Sequence, residues 1–409
     1  MKRREFLKVA GALSVTGCTT MATPSKARVV VVGGGFGGAT AAKYIRMWEP
    51  SIDVVLVERE ANFVSCPISN LVLAGYANMG DISRGHDGLR RHGVQLVRDE
   101  VTAIDAVKKS VKLARGADIA YERLIVSPGI DFLFGDIQGY DPSVLHAWKA
   151  GPQTVELRKQ LEQMRDGGVY VLSIPLAPYR CPPGPYERAS VIAAYFKQAK
   201  PKSKVLVLDA NPDITSKAGL FKRAWSDLYP GIIEYRGNAR AVGIDAKNKT
   251  VKLELEDVKG DVLNVVPPHR AGDLAAKAGL ITTNNRWCDV DWRTMESKAV
   301  KGVHVIGDAT LSAPAMPKSA SMANNHAKIA AAAVVELLNG RSPQPVKILN
   351  TCYSFVAEKE AIRVSSVHEW DGNTLQPVKG SGGVSAARSE AEATFAWSWA
   401  RTIWADSLA

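Results

Sequence analysis

Residues 28–58, RVVVVGGGFGGATAAKYIRMWEPSIDVVLVE, restrict the fold more than any other stretch of the chain. Residues 28–32 are a short run of apolar, β-branched side chains, the composition of a parallel strand buried on both faces. Gly33-Gly34-Gly35-Phe36-Gly37-Gly38 follows and sets Gly33, Gly35 and Gly38 in a G-x-G-x-x-G pattern with Phe36 inside the loop. Residues 39–47 continue as a helix, residues 53–57 as a second strand, and Glu58 stands at its carboxyl end. Each part has a physical task. Gly33 makes the tight turn, Gly35 lets the backbone approach a pyrophosphate, and Gly38 lets helix and strand pack closely. The helix N-terminus offers unpaired N–H groups and a positive dipole end to the phosphates. Glu58 lies 20 residues beyond Gly38, where an acid holds ribose hydroxyls. Strand, loop, helix, strand and acid in this order predict a dinucleotide-binding βαβ unit. The motif alone does not choose between FAD and NAD.

The N-terminus speaks to compartment. Residues 1–20 read MKRREFLKVAGALSVTGCTT, with a twin-arginine pattern at Arg3-Arg4 and an apolar run over 9–15. That run is too short to span a bilayer, which takes about 20 apolar residues. It predicts a twin-arginine export signal over residues 1–25 and delivery to the periplasm. Val15-Thr16-Gly17-Cys18 also resembles a lipobox, so lipid anchoring at Cys18 is the alternative to a freely released chain. Lys2, Arg3, Arg4 and Lys8 against Glu5 put +3 of the formal +11 charge in this segment and leave +8 for the rest. No arginine-rich arm accompanies that charge, which argues against a nucleic acid partner. The five cysteines are Cys18, Cys66, Cys181, Cys288 and Cys352, with no C-x-x-C among them, so zinc-ribbon and thioredoxin-like readings are poor and no metal site is expected. Without Cys18, four cysteines in an oxidising compartment allow two structural disulfides in three connectivities.

Along the chain, residues 59–75 carry Cys66 over the region where a cofactor would lie. Residues 93–98, 110–113 and 121–126 read as strands, the last ending in the small-residue turn Ser127-Pro128-Gly129. In many flavin disulfide reductase-like folds such a turn touches the dinucleotide a second time, with a plain turn as the alternative. Residues 148–168 are helical in pattern, and 169–174 form a buried strand that opens a second Rossmann-like unit. Its loop, PLAPYRCPPGP over 175–185, is proline-rich. Proline fixes φ and removes N–H donors, so this loop has no run of N–H groups for a pyrophosphate. A helix over 190–200 and a strand over 204–208 ending in Asp209 complete the unit. The scaffold of a nicotinamide-nucleotide domain without its phosphate loop predicts that NAD(P)H is not the electron donor.

Residues 209–257 contain hairpin-like material, and 262–266 read as a strand leading to Pro267-Pro268-His269-Arg270. Residues 303–306 form a strand running into Gly307-Asp308, a common second FAD contact in which the Asp holds the ribityl chain. Met316-Pro317-Lys318-Ser319 then leads into a helix over 320–338, with Lys318 expected as a positive neighbour of the flavin. Composition changes after Arg341: residues 363–368 are strand-like, 379–384 a glycine-rich turn, and 389–404 a helix bearing Phe395, Trp397, Trp399 and Trp404. These aromatics read as core packing at helical spacing, or as a docking face for another subunit. The whole predicts an α/β chain with two Rossmann-like domains, FAD and NAD(P)-like, plus a smaller C-terminal α+β domain. The boundaries are 26–140 with 272–340, 141–271, and 341–409. No C-x-x-C-H is present, so the chain carries no c-type haem of its own.

With these pieces placed, the chain from Arg28 onward resembles the flavoprotein subunit of flavocytochrome c sulfide dehydrogenase. The resemblance rests on VVVVGGGFGGATAAKYI, the Cys66 segment, HAWKAGPQT at 146–154, YRCPPGPYERAS at 179–190, PPHRAG at 267–272, HVIGDA at 304–309, MPKSA at 316–320 and LNTCYS at 349–354. It implies FAD bound covalently through an 8α-thioether to Cys66, although a proline directly after that cysteine is a local departure. It implies a redox-active disulfide between Cys181 and Cys352. Sulfide would attack that bond as HS⁻, leaving a persulfide on one cysteine and a thiolate on the other, and elemental sulfur or polysulfide as product. Electrons would pass through the flavin to the haem of a separate c-type cytochrome subunit, the partner in a heterodimer. Cys288 is then left unpaired and buried. Glu187, in the same loop as Cys181, is a candidate for handling a proton at the sulfur, with a surface carboxylate as the alternative. Competing functions are a sulfide:quinone oxidoreductase with a membrane-binding C-terminus, an accessory flavoprotein of a thiosulfate-oxidising system, and a non-catalytic FAD-binding protein.

Overall fold

The valine-rich strand Ala27–Val32 pairs in parallel with Ile52–Val57 on one side and Arg123–Val126 on the other, and Val29, Val30 and Val31 are wholly buried. The computed structural model describes residues 27–409; the export-signal reading, with Arg3, Arg4 and Cys18, lies outside the described residues. Around this strand grows a seven-stranded sheet. It is extended by Gln95–Val97 beyond Ile52–Val57, and by Val303–Val305, which pairs in parallel with Arg123–Val126. The helix Phe36–Trp48 follows the glycine loop and packs against the helix Ala320–Leu338. Ala39, Ala41 and Ala42 have no exposed surface, and side chains this small let the helix pack closely on its neighbours. The chain therefore returns to the sheet of its first strand at Val303–Val305.

A second, all-parallel sheet has the order Ile233–Arg236, Lys204–Asp209, Val169–Ile174, Val262–Val265. Residues 209–257 contain the expected hairpin but are not mainly hairpin. They hold the helix Ala218–Leu228 and the parallel strand Ile233–Arg236, and the hairpin is confined to Ala241–Asp245 with Thr250–Leu253. The helix was hard to see because Lys217, at its N-cap, makes no side-chain cap bond. Its buried residues, Phe221, Ala224 and Trp225, do follow helical spacing. The helix expected over 190–200 begins earlier, at Gly184, because Pro185 is tolerated in the first turn, where N–H groups have no partner anyway. The one expected over 148–168 shortens to Pro152–Gln163, since Gly151, at φ +151, breaks the chain direction before it.

The C-terminal part is an antiparallel sheet built on the long hairpin Lys347–Phe355 with Ala361–Trp370, in which Cys352 lies opposite Val364. The helix Glu390–Leu408 packs on this sheet, and Ser389 caps it by accepting from the N–H of Glu392 at 3.1 Å. Among the described residues no helix is long and apolar enough to cross a membrane.

Candidate functional site

One cavity of about 770 Å³ is lined together by the glycine loop, Glu58, Cys66, Cys181 and Cys352. The loop is shaped for close approach. Gly33 has φ +94, and a Cβ there would stand 2.4 Å from the Ser127 carbonyl oxygen; one on Gly38 would stand 1.8 Å from the Gly33 carbonyl oxygen. At Gly35 a Cβ meets nothing within 4 Å, so this backbone faces open space in the cavity. Two glycines are thus required by packing, and the third leaves a cradle that a side chain would fill. Glu58 accepts from the N–H of Gly34 at 2.5 Å and from that of Glu60 at 2.7 Å, which holds the acid at the loop. Phe36 lines the cavity and packs edge-on against Phe63 at 4.9 Å. Ser127 and Gly129 reach the lining, whereas Pro128 packs under Gly272 instead. Gly307 and Asp308 also line the cavity, and Asp308 Oδ1 is buried without a hydrogen-bond partner. Burial pushes this carboxyl above the usual range. An orphaned acceptor of this kind suits a polyol hydroxyl, so the residues present fit a flavin dinucleotide.

Lys318 is placed differently from the expectation. Its ammonium sits 3.7 Å from the centroid of the Trp287 ring and donates to the Thr310 carbonyl, and it does not line the cavity. A buried cation needs acceptors and a π face, and these lie away from the cavity. Burial pulls Lys318 down to about 7. Its contribution to the site is made by its backbone, whose carbonyl accepts from the N–H of Cys181 at 2.8 Å.

That bond, and a second from the N–H of Gly184 to the Cys181 carbonyl at 2.9 Å, hold Cys181 in a left-handed conformation at φ +58. Ile68, Ala147 and Lys217 share this conformation within or beside the cavity. Such clustering of costly backbone is a mark of functional sites. Cys352 comes from the C-terminal hairpin, with Sγ 3.5 Å from Asn350 Oδ1. The tertiary fold brings both cysteines to the lining of one cavity. In this structure Cys66, Cys181, Cys288 and Cys352 are all free thiols, so neither the anticipated Cys181–Cys352 bond nor any pair of structural disulfides is drawn among the described residues. Burial pushes the Cys181 and Cys352 thiols up; at both, the negative charge of Glu187 adds to this and the ammonium of Lys217 opposes it. Cys288 is wholly buried and stands outside the lining.

Glu187 is neither in the Cys181 loop nor on the surface. It occupies the first turn of the helix Gly184–Ala199 and is about nine-tenths buried. It accepts from Asn70 Nδ2 at 2.7 Å and from the Phe355 N–H at 2.8 Å, and burial pushes its carboxyl up. The next residue, Arg188, escaped the sequence reading although it lies within the YRCPPGPYERAS segment. Its buried guanidinium donates to Asn70 Oδ1, the His146 and Ala147 carbonyls and Asn264 Oδ1 at 2.7–3.0 Å, and lies 4.7 Å over the Trp148 ring. His86 was missed as well. Its Nε2 is 2.8 Å from the Gly34 carbonyl oxygen, and no local motif signals it. Asp209, at the end of its strand, has its carboxylate engaged by the Tyr186 and Tyr235 hydroxyls at 2.7 and 3.0 Å and by Asn211. On the C-terminal helix Trp404 is core, donating to Ser65 Oγ at 2.9 Å; Trp399 lines the cavity, and Phe395 remains 54% exposed.

Comparison with known proteins agrees with this geometry. Residues 154–267 match the central region described for the sulfide dehydrogenase [flavocytochrome c] flavoprotein chain. Residues 344–408 match the flavocytochrome c sulphide dehydrogenase flavin-binding family, and residues 27–171 match the pyridine nucleotide-disulphide oxidoreductases. The sulfide dehydrogenase [flavocytochrome c] flavoprotein chain of Chlorobaculum thiosulfatiphilum is 67% identical over 45 residues, which is 94% of that sequence and 11% of this chain. The mitochondrial sulfide:quinone oxidoreductase of Mus musculus is 26% identical over 301 residues, and the match spans 69% of this chain but only 65% of that relative's length. The crystal structure of the sulfide:quinone oxidoreductase from Aquifex aeolicus superposes with a TM-score of 0.76 at 19% identity, covering 93% of this chain and 91% of that one, which shows a shared fold.

Proposed function

The chain belongs to the flavoprotein family of flavocytochrome c sulfide dehydrogenase, related to the sulfide:quinone oxidoreductases, and from that premise we propose that it oxidises sulfide with bound FAD and a Cys181–Cys352 redox pair. The observation that carries the reading is the convergence of the glycine loop, Cys66, Cys181 and Cys352 on one cavity. In this reading Gly33, Gly35, Gly38 and Glu58 hold the dinucleotide, Asp308 takes a ribityl hydroxyl, and Cys66 supplies the covalent tether. When bound, the flavin supplies a two-electron acceptor that can pass electrons on singly. The chain's own residues do the sulfur chemistry. With the pair oxidised, HS⁻ attacks one sulfur. The Cys181–Cys352 bond breaks, a new S–S bond forms to the incoming sulfur, and the electron pair leaves on the other cysteine as thiolate.

Residues 26–140 with 272–340 would make the flavin domain, 141–271 a Rossmann-like domain without a nucleotide, and 341–409 the C-terminal domain. Asp209 stands at the strand end where an acid would hold a nicotinamide nucleotide's ribose, but its carboxylate already accepts from the Tyr186 and Tyr235 hydroxyls, which favours a route that does not use NAD(P)H. The electron acceptor would be a c-type cytochrome subunit in the periplasm.

Anaerobic titration of the purified holoprotein, with sulfide and separately with NADH, tests this through the flavin absorbance. Sulfide should bleach it rapidly, and Cys181→Ser or Cys352→Ser should abolish the response while Cys288→Ser leaves it. Bleaching by NADH and not by sulfide would make the chain a pyridine nucleotide-dependent reductase.

A further inference from the structure

Lys217 is a lysine that neither the glycine loop nor the cysteine motifs announce. It is 8% exposed, at the N-cap of the helix Ala218–Leu228, with left-handed backbone at φ +58. Its ammonium donates to Ser354 Oγ at 2.8 Å and to the Cys352 carbonyl at 3.4 Å. It forms no ion pair among the described residues. A buried ammonium without a carboxylate partner is costly, and so is left-handed backbone at a side-chain-bearing residue; retaining both calls for a compensating role.

The groups that face it come from four segments. Cys352 comes from the hairpin strand, Cys181 from the proline-rich loop, Glu187 from the helix Gly184–Ala199, and Glu392 from the helix Glu390–Leu408. Arg180 faces Cys181 as well. Among the described residues the ammonium is hydrogen-bonded only within the Cys352 strand, to Ser354 Oγ and the Cys352 carbonyl. Glu187 bridges the two cysteine segments, lying on the helix that starts three residues after Cys181 and accepting from the Phe355 N–H of the Cys352 strand.

We propose that Lys217 is a positioning residue for the cysteine pair: its buried ammonium, fixed to Ser354 and the Cys352 backbone, makes Cys352 the sulfur that carries negative charge when the pair is opened, and so directs the incoming sulfur to Cys181. This rests on the sulfide reading above for its chemistry. HS⁻ attacks Cys181 Sγ, the Cys181–Cys352 bond breaks, and its electron pair goes to Cys352 Sγ, leaving a Cys181 persulfide and a Cys352 thiolate. A sulfur whose thiolate is stabilised leaves faster. Lys217 opposes burial at both thiols, and Glu187 adds to it at both; Lys217 is the first opponent at Cys352, whereas at Cys181 it stands behind Arg180. Burial pulls Lys217 itself down to about 8, so the cation persists at neutral pH.

The test is the pH profile of alkylation of the two thiols by iodoacetamide in the reduced holoprotein, read peptide by peptide by mass spectrometry. In the parent, Cys352 should label at lower pH than Cys181. Lys217→Met should raise the Cys352 profile by about one to two pH units and move Cys181 less, and Lys217→Arg should restore most of it. Sulfide-driven bleaching should slow by about three- to tenfold in Lys217→Met. A parent in which Cys181 labels first, or a Cys352 profile that Lys217→Met leaves in place, overturns the proposal. The parent measurement stands even if Lys217→Met does not fold. Alkylation needs no sulfide, so a parent that shows the expected order but is not bleached by sulfide refutes the function and leaves the charge arrangement intact.

Discussion

Replacing Arg188 by Met should loosen the joint between the flavin-side segments and the second parallel sheet. The guanidinium links Asn70, on the helix Ser69–Ala74, with the 146–148 loop and with Asn264 on the strand Val262–Val265. It does so from a side chain that is 2% exposed and, among the described residues, has no carboxylate in salt-bridge contact. Methionine matches much of the volume but donates nothing, so the Asn70, His146, Ala147 and Asn264 oxygens each lose a charged donor. Hydrogen bonds to a charged group contribute about 1.5–3 kcal/mol each, but relief of the guanidinium's desolvation offsets part of the loss. Breaking a buried charged network at one partner costs about 3–5 kcal/mol. For a chain of this length the unfolding entropy turns about 4 kcal/mol into a fall of about 5 °C in the midpoint. Trp148, 4.7 Å beneath the guanidinium, is a local reporter. Thermal unfolding followed by tryptophan fluorescence should show the fall. Arg188→Lys should recover less than half, because three donors on one nitrogen cannot reproduce the planar fork. A melt of Arg188→Met within about 1 °C of the parent would show that the four bonds are replaceable and that the joint is held elsewhere.

The glycine loop makes a paired prediction. Gly38→Ala should abolish flavin incorporation and destabilise the protein, because its Cβ would collide with the Gly33 carbonyl; Gly35→Ala should fold normally yet purify with less flavin, since its Cβ projects into open cavity. Equal flavin content in the two would contradict the assignment. Stability should also fall in mild acid. His146, His269, His304 and His326 are all buried, with pKa values pulled below the unfolded value of 6.5 by desolvation, to about 3 for His146 and His326 and about 4 for His304. Depressed groups contribute stability that is present above 6.5 and lost as pH falls toward the folded values, about 1.4 kcal/mol for each pH unit below 6.5 per imidazole. Glu187 and Asp308, raised by burial, act in the opposite sense, but two carboxyls stand against four imidazoles. The urea midpoint should therefore be lower at pH 5.5 than at pH 7.5, and an unchanged or higher midpoint would show that these histidines are not held neutral.

Local chemistry in the sequence determined a good deal. The valine run, the G-x-G-x-x-G loop and Glu58 specify a nucleotide-binding unit because each requirement there is met within one strand, one turn and one helix. The same holds for the helix Ala320–Leu338, foreseen to the residue, and for the strand Val169–Ile174. The proline-rich loop announced its lack of N–H donors for the same reason. The helix Ala218–Leu228 was not legible, since it starts without a capping side chain and is held by what its one apolar face meets across the domain. Only the tertiary structure decided the site. Nothing near Lys318 in sequence says that Trp287 and Thr310 will draw its ammonium out of the cavity, or near Glu187 that Asn70 and the Phe355 N–H will bury it. Nor does any local pattern place Lys217 behind Cys352, 135 residues away. The physical reason is range. Backbone propensity and turn chemistry act over a few residues, whereas burial, charge and sulfur–sulfur proximity act through space, between segments that meet only once the sheets have formed.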